Sequence, residues 1–130
     1  MTHSTTLVLT VRHPADSLAV VTVSGELDVE TAPALRTKAV DLIGQGYAHV
    51  VLDMAPVEFC DSSGLNALIA IVHHARDHDG SLSVAAAPDQ LTRLLDMTGV
   101  GGLMPVHADV AEAVTHFTRG SAAEEDTSGV

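Results

Sequence analysis

Residues 50–65 read Val50-Val51-Leu52-Asp53-Met54-Ala55-Pro56-Val57-Glu58-Phe59-Cys60-Asp61-Ser62-Ser63-Gly64-Leu65, and this stretch decides the fold class. The run His49 to Met54 holds three consecutive apolar residues, Val50, Val51 and Leu52, as a strand buried in a parallel sheet does. A polar loop containing Asp61, Ser62, Ser63 and Gly64 follows. Leu65, Leu68, Ile69, Val72 and Ala75 then recur at helical spacing, which predicts a helix from about Ser63 to His78 that Asp79-Gly80 ends. A buried strand feeding a helix in this way is a building block of an α/β sheet.

Outward from this block the alternation continues. Leu7, Leu9 and Val11 alternate with Val8 and Thr10, predicting a strand over 5–12. His13-Pro14-Ala15-Asp16 reads as a turn, and Leu18 to Val23 as a second strand, giving an N-terminal hairpin. Thr31 is placed to cap a helix with Pro33 in its first turn. Ala32, Leu35, Ala39, Leu42 and Ile43 share one face of that helix, and Gly44 and Gly46 stop it. On the C-terminal side, Leu82 to Ala86 is strand-like, and Pro88-Asp89 opens a short helix with Leu91, Leu94 and Leu95, closed by Gly99. Leu103-Met104-Pro105-Val106 reads as a brief edge strand. Asp109 caps a last helix carrying Val110, Ala113, Val114 and Phe117. The expected order is β-β-α-β-α-β-α-β-α: a single α/β domain over 1–118, with a mixed, mostly parallel sheet and helices packed on it. Residues 119–130, with Glu124-Glu125-Asp126, are expected to form an acidic, disordered tail.

Composition removes several functions. Six Lys and Arg stand against 17 Asp and Glu, a formal charge of −11, and aromatics are 2%. Neither a basic track for a phosphate backbone nor an aromatic platform for bases is available, so no nucleic-acid partner is expected. A partner with a basic surface suits this charge better. Cys60 is the only cysteine, so no intrachain disulfide forms. No segment approaches ~20 apolar residues, and Met1-Thr2-His3-Ser4 does not open a secretory signal. The expected address is cytoplasmic, away from the membrane.

Sites in open α/β sheets lie beyond the carboxyl ends of the strands. Gly25-Glu26-Leu27-Asp28 and Phe59 to Leu65 qualify by position. In the second, Asp61 or Ser62 caps the following helix, whose free N–H groups and dipole favour an anion. Gly64 lets another backbone come close. On physics alone Asp61-Ser62-Ser63-Gly64 reads first as an ordinary helix cap. Asp28 likewise reads as a helix-entry residue or as part of an acidic docking rim with Glu26, Glu30, Glu58 and Asp61. An enzyme would need a base for Ser62. His49, His73 and His74 are candidates, but none is beside it in sequence and Gly-x-Ser-x-Gly is absent, so no catalytic residue is expected. Cys60 reads as small and buried. His74 and His78 share a helix face next to Asp77 but lack a further ligand, so neither a metal nor any other cofactor is expected. No phosphate-binding Gly-x-x-x-x-Gly-Lys loop is present.

Three segments taken together resemble the STAS-domain anti-sigma factor antagonists. They are Val23-Ser24-Gly25-Glu26-Leu27-Asp28 through Leu35, Val50-Val51-Leu52-Asp53-Met54 leading to Phe59 through Leu65, and Leu94-Leu95-Asp96-Met97-Thr98-Gly99-Val100 reaching Val106. Together they cover roughly residues 7 to 117. The resemblance implies that Ser62, directly after the aspartate, is a phosphorylation site. It implies a partner that is both anti-sigma factor and serine kinase, with a histidine-kinase-like ATPase fold. The unphosphorylated protein would bind it and free a sigma factor, phosphorylation would end binding, and a phosphatase would restore it. Asp28, Asp61, Ser62, Ser63, Gly64 and Leu65 are the implied partner-binding residues. Cys60 stands where the family often has Met or another apolar residue. The alternative is a STAS-type ligand- or nucleotide-sensing module that does not act on a sigma factor.

Overall fold

The computed structural model describes residues 7–129, with side chains through Arg119. Six strands and four helices follow in the order β1 (Leu7–Ala15), β2 (Leu18–Leu27), α1 (Ala32–Gly44), β3 (His49–Asp53), β4 (Val57–Cys60), α2 (Ser62–Asp77), β5 (Ser81–Ala85), α3 (Asp89–Thr98), β6 (Val106–His107) and α4 (Val110–Gly129). The sheet runs β1-β2-β3-β5-β6. β1 is antiparallel to β2, and the other pairings are parallel, so the expected mixed α/β domain is what forms. β2 is long enough to pair β3 along Leu18–Thr22 and then β4 along Gly25–Leu27.

The continuous apolar run of β2 follows from burial on both faces. Ala19, Val21 and Val23 enter the main core beneath α1, α2 and α3. Leu18 and Val20 enter a smaller core with Val51, Ala85 and Ala113, covered by α4. Asp109 caps α4 as expected, accepting from the Glu112 N–H at 2.8 Å.

Several boundaries differ from the sequence reading. β4 is an additional strand. β1 runs through His13 and Pro14 to Ala15, where a turn is expected; a proline on an edge strand forfeits no inner ladder bond, and the pairing register shifts between Arg12 and Ala15. The hairpin turns instead at Asp16-Ser17, with Ser17 at φ 63°. Ile71 fills the main core, while Ile69 packs only partly against it. The strand expected at Leu103–Val106 begins only at Val106, because Val100–Leu103 coils into a 3-10 turn that buries Met104. α4 continues to Gly129, past the boundary expected at 118; Ala122, Ala123, Glu124 and Glu125 are strong helix formers, a preference the tail composition concealed. The side chains of residues 120–130 lie outside the described residues.

Candidate functional site: the paired ends of β2 and β4

β4 joins the two candidate loops. Leu27 pairs with Cys60, and the Asp61 N–H donates to the Leu27 carbonyl at 3.2 Å. Asp28 and Asp61 therefore leave adjacent strand ends side by side. Gly25 faces Val57 while the next residue, Glu26, faces Phe59. Glu58 is thus the extra residue of a β-bulge, a device that re-aims a strand next to a site. Glu26, Glu30 and Glu58 are all exposed on the segments that form this edge.

Asp61 is the N-cap of α2. Its backbone is extended, and its carboxylate accepts from the Ser63 N–H at 2.8 Å. Ser62 occupies the first helical position and is exposed, whereas Ser63 is half-buried. Gly64 and Leu65 are buried beneath the turn. The close approach at Gly64 is to side chains, where another backbone was expected. A Cβ there would meet the Cys60 Sγ at 2.8 Å and Leu27 at 2.9 Å, tighter than packed cores allow.

Asp28 proves to be a knot in the chain. Its Oδ1 accepts from the Glu30 N–H at 2.9 Å and the Thr31 N–H at 3.1 Å. Thr31 does not cap α1 through its side chain, contrary to the sequence expectation. Its buried hydroxyl instead donates to the Glu26 carbonyl at 2.7 Å and accepts from the Asp28 N–H at 2.9 Å. These bonds lock the β2–α1 turn upon itself.

Between α1 and α2 a groove of about 630 Å³ opens beside Ser63, lined among others by Val29, Ala32, Arg36, Asn66 and His74. Val29 is 70% exposed at its mouth. The groove was not legible in the sequence, because its walls come mainly from two helices that only the fold brings together.

The histidines considered as a base for Ser62 lie elsewhere. His74 is twelve residues along α2, about 18 Å of helical rise. His73 is on the preceding residue of the same helix. His49 pairs with Leu18 at the opposite end of β2 from Leu27, about 30 Å away by strand rise, and its Nδ1 lies 2.9 Å from the Ser81 hydroxyl. His78 turns its Nδ1 to the His74 carbonyl at 2.9 Å. Among the described residues no group of three or more His, Cys, Asp or Glu could hold a metal ion, and no helix is long and apolar enough to cross a membrane.

Cys60 is buried, and its thiol is pushed up to about 11 from 9.0, first by loss of solvation and then by the neighbouring Asp61 carboxylate. A hundredfold drop in thiolate follows from that shift, so iodoacetamide at pH 8 should label the folded protein at least ~100-fold more slowly than the unfolded chain. Comparable labelling rates would mean that the thiol is open to solvent. Because the folded state holds its proton to higher pH than the unfolded chain, this group's contribution to stability is complete below pH 9.0. It is lost as pH rises towards about 11.

Residues 8–113 match the STAS domain, and the chain belongs to that family. Among particular relatives, the anti-sigma-B factor antagonist of Bacillus subtilis is 34% identical over 88 residues, covering 68% of this chain and 80% of the relative. The crystal structure of an anti-sigma factor antagonist from Mycobacterium paratuberculosis superposes with a TM-score of 0.75 at 30% identity, covering 85% of this chain and 93% of that one. The Bacillus cell fate determinant SpoIIAA in its phosphorylated form shares the fold at a TM-score of 0.70 and 19% identity, over 85% of this chain and 99% of that one.

Proposed function

We propose that this protein is an anti-sigma factor antagonist switched by phosphorylation at Ser62. The observation that carries the reading is the exposure of Ser62 on the first turn of α2, at an edge where β4 pairs with β2 as far as Leu27, the residue before Asp28. The antagonist role comes from the relatives' names. Unphosphorylated, the protein binds an anti-sigma factor that is also a serine kinase of histidine-kinase-like ATPase fold, and a sigma factor is released. A phosphatase acting on phosphorylated Ser62 resets the switch. Asp28, Asp61, Ser62 and Ser63 form the contact edge, and Gly64 and Leu65 support it from beneath. The acidic rim suits basic residues on the partner, and the work is done in the cytoplasm, where sigma factors act.

Incubation with candidate anti-sigma kinases and ATP, followed by phosphosite mapping, tests this reading. Label is expected on Ser62 and absent from the Ser62→Ala variant. Label on Ser63 alone would overturn the assignment. Unmodified protein that binds no anti-sigma factor would remove the antagonist role.

A further inference from the structure

The β-ladder ends unevenly beside the switch. β5 pairs β3 as far as Asp53 and Ala85, and the Met54 N–H still donates to the Ala85 carbonyl at 2.9 Å. At Ala86, with φ 55°, the chain turns away towards α3. β4 therefore has β2 on one side and, among the described residues, no strand on the other. In a parallel strand successive N–H groups point to opposite sides. The Asp61 N–H points to β2, so the Cys60 N–H points outward, where a continuation of β5 would have supplied a carbonyl. The Gln90 side chain takes that place: its Oε1 accepts from the Cys60 N–H at 2.9 Å.

The switch turn is thus held from two directions. On the β2 side the Leu27 carbonyl holds Asp61. On the α3 side the Gln90 amide holds Cys60, two residues before Ser62. Asp61 in turn caps α2 and sets where its first turn begins. We propose that Gln90 is a positioning residue that fixes the Ser62 hydroxyl for phosphoryl transfer, acting through the Cys60 N–H. The proposal rests on the function inferred above. A hydroxyl must sit in line with the transferred phosphoryl group, and small misplacements cost rate more than affinity.

Gln90→Met removes the acceptor at nearly constant length, and Gln90→Glu keeps an oxygen in its place. Hydrogen exchange of the full chain and steady-state phosphorylation by the kinase that labels the wild type are measured on both. Gln90→Met should speed exchange of the Cys60 amide about tenfold and lower kcat about tenfold, with KM within about twofold. Gln90→Glu should restore slow exchange and most of kcat. Wild-type exchange and kcat in Gln90→Met would overturn the proposal, as would equal impairment of the two variants or faster exchange throughout the domain. If no kinase labels the wild type, the phosphorylation reading fails and the phosphoryl-transfer role of Gln90 fails with it. If label appears and Gln90→Met keeps its kcat, this inference fails alone.

Discussion

Protein phosphorylated at Ser62 is expected to bind its anti-sigma factor at least ~100-fold more weakly than unmodified protein, while its melting temperature stays within a few degrees of the unmodified value. The helix end alone would welcome a phosphate. Here, however, the Ser63 N–H is already taken by the Asp61 carboxylate at 2.8 Å. The phosphate, carrying about −1.5 to −2 charges, meets a neighbouring anion and an acidic rim. Ser62 is exposed, so no packed side chain has to move and the fold beneath stays in place. The added charge is felt where a partner surface shaped for a hydroxyl closes over it. An unpaired charge buried there costs several kcal/mol, and each ~1.4 kcal/mol is tenfold in affinity. Calorimetric titration of both forms against the purified partner gives the ratio. Amide spectra should differ only around Asp28 and from Phe59 to about Asn66. Equal affinities, or shifts spread through the domain, would refute this mechanism.

The elements legible in the sequence were those with strong periodicity and caps. The α1 face of Ala32, Leu35, Ala39, Leu42 and Ile43 is buried as read, because a helix stripe depends on local spacing alone. β4 was not legible. It has four residues, its pairing is bulged at Glu58, and its burial runs buried-exposed-exposed-buried, so no period-2 signal survives. That one strand places Asp28 beside Asp61, so the motif was readable while the reason its two halves meet was not. Gln90 was hidden for a related cause. A side chain that completes a ladder from thirty residues away leaves no local pattern. Asp28 shows the converse: its helix-entry chemistry was legible, but Thr31, read as the cap of α1, buries its hydroxyl and donates it back to the Glu26 carbonyl.

Gly80→Ala is expected to destabilise the domain by about 3 kcal/mol or more, lowering the melting temperature by roughly 10 °C. Gly80 needs no left-handed backbone; the constraint is a close approach. Its N–H donates to the Ala75 carbonyl at 2.7 Å, ending α2, and the next residue, Ser81, donates to the Ala48 carbonyl at 3.1 Å as β5 begins. A Cβ on Gly80 would fall well inside contact distance of that same Ala48 oxygen and of the Ala48 carbonyl carbon. Both are backbone atoms tied into the entry of β3, so neither can step aside as a side-chain tip could. The clash must move α2 relative to β3 and β5, two paired inner strands of the sheet. Gly44→Ala provides the control. Gly44 closes α1, nothing lies within 4 Å of a Cβ there, and alanine should be neutral or stabilise by up to about 1 kcal/mol through helix propensity. Thermal or urea unfolding of the two variants beside the wild type separates the cases. If Gly80→Ala melted with the wild type, the close packing of the α2–β5 turn on Ala48 would be disproved.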